Sequence, residues 1–173
     1  MGDNILQLYA HFKQLCEDVN MNTLSNRIEL QKTVYFLKQF GANLRYSFTW
    51  YIYGPYSTDL ARDLFSIQEN QNLIPNDADW NTIIQDAEPI RRTKSFIDEV
   101  ERKPRPQETD NHYWFELLAG LHYLLTYSPT RITTEAELIE TLENHKPRKF
   151  RLEDMREGLR MLKAHNLVSN DRI

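Results

Sequence analysis

The stretch from Arg27 to Phe40 constrains the fold of this chain more than any other feature of its sequence. Its apolar residues cover nearly every side of a helix, whereas a surface helix carries them on a single stripe. They are Leu30, Val34, Tyr35, Phe36, Leu37 and Phe40. We therefore expect a helix at the centre of the core, ended by Gly41 because glycine adopts the left-handed conformation without strain.

Six further segments repeat apolar residues at i, i+3, i+4 and i+7, the spacing of amphipathic helices. They cover 4–20, 58–70, 83–100 with an interruption at Pro89, 110–126, a segment opening at Thr134, and 152–165. Side chains that can accept hydrogen bonds from free backbone N–H groups stand at several of the predicted helix starts. These predicted caps are Asn26 with Glu29, Ser57, and Thr134 with Glu137.

Residues 45–53 have the clearest strand pattern, because side chains alternate between two faces along a strand. The residues expected on one face are Tyr46, Phe48, Trp50 and Ile52. Gly54-Pro55 is expected to end this strand, since proline has no N–H to donate to a neighbour. The sequence does not locate the partner strand. The predicted fold class is mainly α (α+β): a helical domain with a small antiparallel sheet, winged-helix-like at the C-terminus.

The 173 residues favour a single domain, 1–173, because a chain of this length buries one sizeable core. The run Lys-Pro-Arg-Pro at 103–106 is the best candidate for a division, near 103–107. No apolar run approaches the ~20 residues of a membrane span, and no secretion signal opens the chain, so we expect a cytoplasmic protein. The single cysteine, Cys16, excludes an internal disulfide and is expected to be buried and inert in the first helix.

No constellation of residues points to catalysis. The five histidines are scattered without the spacing of zinc ligands, and neither a nucleophile elbow nor a phosphate-binding glycine loop occurs. His112 with Glu116, and His122 with Thr126, lie four residues apart on one helix, and a surface hydrogen bond is the preferred explanation of each pair. We therefore predict no enzyme activity, no catalytic residue, no metal and no cofactor.

Two motifs resemble known families. Residues 30–37, Leu-Gln-Lys-Thr-Val-Tyr-Phe-Leu, are followed by Tyr-Gly-Pro-Tyr-Ser at 53–57 and by a Leu-rich helix. This arrangement resembles the YwgA-like proteins of bacteria and archaea, and the segment 134–168 is similar to the end of that pattern. More distantly it resembles the Panacea domain, a promiscuous antitoxin module. The chain departs from Panacea at Trp50-Tyr51-Ile52, where that domain has Ala-Trp, and at Tyr56, where it has Val.

The candidate partner-binding residues are Lys32, Tyr51, Tyr53 and Tyr56. In one interpretation the tyrosines form an exposed aromatic patch, because aromatic side chains supply much of the energy of protein interfaces. In the other, which the sequence prefers, helices cover both faces of the strand and the tyrosines are core. Lys32 lies in an apolar helix, where its ammonium either reaches solvent past a packed stem, the preferred interpretation, or pairs with a buried acid or ligand.

The segment 145–173 holds eight Lys or Arg and four Asp or Glu, against a net charge of −4 for the whole chain. Its candidate nucleic-acid-binding residues are Arg148, Lys149, Arg151, Arg156, Arg160 and Lys163. The last three share one helix face, an arrangement compatible with the recognition helix of a winged helix-turn-helix. A solvated helix face is the preferred alternative, because acidic residues dilute the cluster.

The sequence supports two functions. The resemblance implies a non-catalytic regulatory or interaction module that binds a protein partner, connected with toxin–antitoxin systems or phage defence. The alternative is a winged-helix regulator that binds nucleic acid through its C-terminal basic helix. The identity of the partner and the oligomeric state stay open.

Overall fold

A computed structural model describes residues 3–71 and 79–173. These residues form seven helices of 11 to 16 residues, one helix of four residues, and a two-stranded antiparallel sheet. In chain order they are α1 (Asp3–Leu15), α2 (Leu24–Gln39), β1 (Thr49–Tyr51), β2 (Gly54–Tyr56), α3 (Thr58–Asn70), α4 (Trp80–Ile83), α5 (Glu88–Arg102), α6 (Tyr113–Tyr127), α7 (Glu135–His145) and α8 (Leu152–Ala164). The predicted fold class, a mainly helical domain with a small antiparallel sheet, is confirmed.

Helix α2 is the centre of the fold, as its apolar sequence predicts. It packs against α3, α5, α6 and β2. Tyr35 and Phe36 belong to a core cluster shared with α5, α6 and α8, whereas Val34 and Leu37 belong to a second cluster shared with α1 and α3. The helix is apolar on nearly every side because it contributes to two cores at once.

The start of α2 differs from the prediction. The N-cap is Thr23, whose backbone is extended and whose Oγ1 accepts a hydrogen bond from the N–H of Asn26 at 3.1 Å. Asn26 itself lies inside the first helical turn, so it cannot be the cap. The helix therefore begins earlier than predicted, at Leu24.

The other two predicted caps are confirmed. Ser57 accepts a hydrogen bond from the first turn of α3, and Thr134 and Glu137 form the capping box of α7. Pro89 lies in the first turn of α5, where a missing N–H does no harm, and not inside a longer helix. The loop predicted at 75–80 lies mostly outside the described residues; Trp80 opens α4.

The prediction of a buried Cys16 is wrong. Helix α1 ends at Leu15, and Cys16 comes next in the left-handed conformation, with φ of 60°, exposed to solvent. The N–H of Cys16 donates to the carbonyl of Lys13 at 3.3 Å, and the N–H of Glu17 donates to that of Phe12 at 3.0 Å. This is a Schellman ending, which turns the residue after the helix away from the buried stripe.

The predicted strand 45–53 is right only for Thr49–Tyr51, since residues 45–48 before β1 form no strand, and the prediction for the Gly-Pro sequence after it is wrong. β1 pairs antiparallel with β2, with Tyr51 opposite Gly54, so Gly54-Pro55 begins the partner strand instead of ending the sheet. Ile52 and Tyr53 form the two-residue turn, and Ile52 is 63% exposed, away from the face of Trp50 on which it was expected. Gly54 has φ of 79°, a conformation that glycine adopts without a Cβ clash.

Helices α7 and α8 are consecutive as predicted, but the segment 165–173 after α8 does not form a wing. Residues 165–173 form turns and no strand. Val168 is buried, and the guanidinium of Arg172 donates to the backbone oxygen of Leu125 near the end of α6. These contacts hold the segment against α6, so the winged-helix-like element expected at the C-terminus is absent from residues 165–173.

The proline-containing segment at 103–107 is attached to the core on both sides. Val100 before it packs in the same cluster as Leu117 after it, and the indole N–H of Trp114 donates to the carbonyl of Pro104 at 3.0 Å. These contacts favour the single-domain interpretation, which stays a prediction.

Candidate functional site

The four residues that the sequence nominates for partner binding line one cavity of about 230 Å³, which we name the aromatic cavity: Lys32, Tyr51, Tyr53 and Tyr56. Further lining residues come from α2 and α3 and include Leu24, Arg27, Ile28, Gln31 and Phe65. The cavity therefore lies between the β1–β2 hairpin and these two helices. Sequence reasoning considered the three tyrosines together and Lys32 apart from them, and the fold brings all four to one cavity.

Two buried side chains of α2 position the walls of the aromatic cavity. Gln31 donates to the backbone oxygen of Ser57 at 2.9 Å and accepts from its N–H at 3.0 Å, which fixes the start of α3. Lys32 Nζ donates to the carbonyl of Pro55 at 2.6 Å, which fixes β2. The rings of Tyr51 and Tyr56 lie 5.4 Å apart across the hairpin. The cavity is thus built into the fold by hydrogen bonds that its own lining makes.

The rim of the aromatic cavity is apolar and exposed. Among the described residues, the exposed large apolar side chains are Leu24, Tyr51, Ile52, Phe65, Tyr127 and Leu152. Three of these six line the cavity, and Ile52 lies in the turn beside them. The interpretation of the tyrosines as core is wrong for Tyr51, which is 57% exposed, while Tyr53 and Tyr56 are half-buried. The turn and the cavity leave one face of the hairpin uncovered.

The charged residues in the lining are both cations. Arg27 is exposed; its Nε donates to the backbone oxygen of Met21 at 2.8 Å, and its guanidinium lies 5.8 Å from the centre of the Phe65 ring. Lys32 lies deeper, and no acidic residue contributes to the lining. The cavity therefore combines an apolar surface with positive charge.

The preferred interpretation of Lys32, an ammonium that reaches solvent, is wrong. The side chain is 1% exposed, because α2 is enclosed by β2 and α6 at this point. Burial lowers the pKa of Lys32 from 10.5 to about 7; Glu116 opposes the shift, and the neighbouring ammonium groups of Lys146 and Lys149 add to it. Lys32 is therefore a buried amine that loses its proton near neutral pH.

Glu116 is the centre of a buried ionic cluster that sequence reasoning missed. Its side chain is 1% exposed; Oε1 accepts from Lys146 Nζ at 2.7 Å and Oε2 from Lys149 Nζ at 2.6 Å. Lys146 also donates to the backbone oxygen of Ile52, and both ammonium groups lie over the ring of Tyr53, at 5.6 and 5.0 Å. The cluster therefore holds the hairpin turn on α6. A carboxylate within the apolar run 113–121 of α6 is the signal that could have revealed it.

His112 and Glu116 are not a surface pair. His112 is buried, its Nδ1 lies 3.0 Å from Ser25 Oγ, and its Nε2 lies 3.5 Å from Glu116 Oε2 and 3.6 Å from Asp110 Oδ2. Burial lowers the pKa of His112, although both carboxylates oppose the shift. Nε2 makes no hydrogen bond within the described part of the chain.

His122 is also buried, which corrects the second predicted surface pair. Its Nδ1 lies 2.7 Å from the hydroxyl of Tyr35, whereas Thr126 is exposed and has no hydrogen bond to it among the described residues. Burial lowers the pKa of His122 to about 4, so the ring is neutral at physiological pH. The Tyr35–His122 contact joins α2 to α6 inside the core and explains why a histidine is placed there.

Two of the six basic residues nominated for nucleic acid are engaged with buried acids. Lys149 turns inward to Glu116. Arg151 Nε lies 2.9 Å from Asp154 Oδ2, which also accepts from the hydroxyl of Tyr113 at 2.7 Å. Arg148, by contrast, is exposed, in the left-handed conformation.

The three basic residues on the face of α8 have partners within the chain. Arg156 Nε lies 2.9 Å from Glu135 Oε1, Arg160 pairs with Glu157, and Lys163 donates to a backbone carbonyl. The predicted common face of α8 thus exists, but carboxylates from α7 and from α8 itself neutralise much of its charge.

Comparison with models of known protein families, with curated proteins and with solved structures returned no match. Within residues 3–71 and 79–173, no group of three His, Cys, Asp or Glu side chains is arranged to hold a metal ion. The same ranges contain no helix with the length and apolar character that crossing a membrane requires.

Proposed function

We propose that the protein is a non-catalytic interaction module that binds a protein partner at the aromatic cavity, through an apolar anchor side chain of the partner next to an acidic residue. The observation that carries this proposal is the concentration of exposed apolar side chains around one preformed concavity. Exposed apolar groups that cluster at a concave surface are typical of sites where a partner's side chain is inserted.

The size and lining of the cavity support an apolar anchor. A volume of about 230 Å³ suits one large side chain, and Leu24, Tyr51 and Phe65 supply the apolar contact around it. Burying a Leu, Met or Phe side chain contributes ~1.5–3 kcal/mol, which is the scale of a single interface anchor. These rim side chains are partly exposed, so a partner gains this energy by covering their exposed surface.

The charge of the lining supports an acidic neighbour in the partner. Arg27 stands at the rim beside Phe65, and the lining contains no carboxylate to neutralise it. A carboxylate on the partner gains a charged hydrogen bond there, whereas a basic residue is repelled. The cavity is therefore expected to prefer partners that carry a negative charge next to an apolar side chain.

The resemblance to YwgA-like proteins, and more distantly to the Panacea domain, fits this proposal because the segments that carry it, 30–37 and 53–57, contribute Gln31, Lys32, Tyr53, Gly54 and Tyr56 to the lining of the cavity. A role in toxin–antitoxin systems or phage defence is part of the same proposal. The alternative, binding of nucleic acid through α8, has less support because the basic residues on that face are paired with carboxylates or a carbonyl.

The experiment is to pan a displayed library of random peptides against the purified protein and to measure the Kd of enriched peptides by fluorescence anisotropy. We expect the enriched sequences to share an apolar position beside Asp or Glu. Leu24→Ser is expected to weaken their binding on the order of tenfold or more, since it removes a contact of the size of one apolar side chain.

The matched control is Leu152→Ser. Leu24 and Leu152 are the first residues of α2 and α8 and are 50% and 46% exposed, but Leu152 does not line the cavity. Binding should be unchanged in this variant. No enrichment, enrichment of basic peptides, or equal weakening by both substitutions contradicts the proposal.

A further inference from the structure

Lys32 is an amine with an uncommon environment at the aromatic cavity. It lines the cavity and is 1% exposed, and the carbonyl of Pro55 accepts its hydrogen bond. An ammonium has three N–H donors, and within the described residues no carboxylate bonds to Nζ. The acid whose charge acts on it, Glu116, is held by Lys146 and Lys149 instead. The positive charge of a protonated Lys32 therefore has no carboxylate bonded to it among the described residues.

Burial and the groups that face Lys32 favour the neutral form of its amine. Glu116 on α6 favours the ammonium, but Lys146 and Lys149, in the connection from α7 to α8, oppose it, and His112 on the other side of Glu116 is itself held neutral by burial. With its pKa at about 7, much of Lys32 is unprotonated at neutral pH, whereas an ordinary lysine is unprotonated in less than ~0.1% of molecules. Desolvation beside other cations is a recognised way to activate a lysine as a nucleophile.

We propose that Lys32 forms a reversible imine with an aldehyde whose hydrocarbon or aromatic substituent occupies the aromatic cavity. The lone pair of Nζ attacks the carbonyl carbon to form a carbinolamine. The carbonyl oxygen then leaves with both amine protons as water, and a C=N bond remains; no electrons are exchanged with a third reactant. This activity is separate from partner binding, although it uses the same cavity.

The lining determines the class of aldehyde. Tyr51, Tyr53 and Phe65 offer aromatic faces, the rim is apolar, and about 230 Å³ admits a substituent of the size of a benzene ring. Arg27 and the ammonium groups behind the hairpin are hydrogen-bond donors and no carboxylate contributes to the lining, so an anionic substituent on the ring is compatible and a cationic one is not.

The test uses the wild-type protein with benzaldehyde as the probe and sodium cyanoborohydride to trap the imine as a benzylamine. The modified lysines are then identified and quantified by peptide mass spectrometry. Lys94, a partly exposed lysine on α5 whose Nζ lies 2.9 Å from Asp98 Oδ1, is the internal reference. We expect Lys32 to be labelled on the order of tenfold or more faster than Lys94 at pH 7.

The pH dependence separates an activated amine from one that is merely reachable. Above about pH 7 the neutral fraction of Lys32 has little left to gain, while the reference lysine becomes roughly tenfold more neutral with each pH unit. The ratio of labelling at Lys32 to that at Lys94 should therefore fall roughly 50-fold between pH 7 and pH 9. Benzyl alcohol, which has the ring without the carbonyl, should protect Lys32 and leave Lys94 unaffected.

Three results overturn the proposal: no label at Lys32, a ratio that does not change with pH, or a lack of protection by benzyl alcohol. None of them depends on a variant that has to fold, and none of them bears on the peptide experiment. Lys32→Met, tested for folding by circular dichroism, should lose the label at this position and keep it at Lys94.

Discussion

The aromatic cavity and the basic face of α8 are both surfaces that the sequence nominates for binding, and the fold treats them in opposite ways. Around the cavity, the apolar side chains of Leu24, Tyr51 and Phe65 are 50%, 57% and 40% exposed. On α8, Arg156 and Arg160 are exposed as well, but each has a carboxylate partner within the chain. The apolar side chains around the cavity therefore stay available for another molecule, whereas the arginines of α8 already form ion pairs within the chain.

The difference arises from the two kinds of interaction. A charged side chain on a helix surface finds opposite charges nearby at little cost, so a basic cluster in a sequence is often satisfied by the same fold that displays it. Exposed apolar side chains around a concavity cannot be stabilised by a nearby charge, because only burial away from water lowers their free energy. A cluster of exposed apolar residues is therefore the better indicator of a partner.

The largest expected loss of stability comes from breaking the buried ionic cluster centred on Glu116. Glu116→Gln removes the charge that pairs with both Lys146 and Lys149 and leaves a buried ammonium unpaired. Breaking a buried pair in this way costs about 3–5 kcal/mol. We expect the free energy of unfolding, measured by urea denaturation at pH 7, to fall by about that amount.

Glu157→Gln is the matched control on α8. Glu157 also pairs with two cations, Lys103 and Arg160, but its side chain is 23% exposed. Partly solvated pairs contribute ~0–1 kcal/mol, so the loss should be several times smaller than that of Glu116→Gln. Equal losses in the two variants contradict the view that the cavity rests on a buried ionic cluster while α8 carries a solvated one.

The second prediction concerns pH. The folded-state pKa of Lys32, about 7, lies below its unfolded value of 10.5, so between these values the unfolded chain binds more protons than the folded one. Stability contributed by this group therefore increases as the pH rises through this window. The wild-type free energy of unfolding should gain roughly 2 kcal/mol between pH 7 and pH 9 relative to Lys32→Met, whose side chain does not titrate.

Gln31→Met is the control for this prediction. It removes a neighbouring buried polar side chain that bonds to Ser57 and does not ionise, so it should lower stability equally at every pH. Unfolding curves at pH 7, 8 and 9 make the comparison. A difference between wild type and Lys32→Met that stays constant with pH shows that the amine is charged throughout.

Sequence reasoning succeeded where local chemistry decides the structure. The repeat of apolar residues located the long helices, and the hydroxyl groups of Ser57 and Thr134 located two of the three predicted caps. It failed at Cys16 and at the Gly-Pro sequence, where the backbone conformation of single residues decides the path of the chain. Nothing in the periodicity distinguishes a helix residue from the left-handed residue that comes after it.

For the site, the sequence identified the residues that line the cavity but not the ionic cluster behind the hairpin. Lys32 and the tyrosines were nominated because of their types and their motif, and they line one cavity. The pairing of Glu116 with Lys146 and Lys149 was missed because it joins α6 to the connection after α7, and spacing along one helix carries no information about such contacts. The direction of Lys32, inward and not outward, likewise depends on which elements enclose α2.

The third prediction concerns a smaller loss of stability, caused by a substitution at the positive-φ glycine of the hairpin. Gly54 has φ of 79°, and a Cβ there would meet only ordinary contacts, 3.9 Å from Glu116 O and Gly120. Gly54→Ala should therefore destabilise through backbone conformation alone, by ~1–2 kcal/mol in urea denaturation. Gly120→Ala, in helical backbone with Leu142 at 3.4 Å, serves as the comparison and should show a smaller loss because alanine favours the helix. A larger loss of stability for Gly120→Ala than for Gly54→Ala contradicts the explanation that the backbone conformation at Gly54 requires glycine.

The smallest effect is expected from the basic face itself. In Arg156→Glu/Arg160→Glu, two surface ion pairs with Glu135 and Glu157 are replaced by like charges, which should change the free energy of unfolding by about 1 kcal/mol or less. If α8 is a solvated face, titration with random-sequence duplex DNA and structured RNA at two salt concentrations gives the same weak or absent binding for both proteins. Binding by the wild type that weakens with salt and vanishes in the variant, by contrast, reverses the comparison and makes α8 the functional surface, because release of counterions from phosphates is what produces that salt dependence.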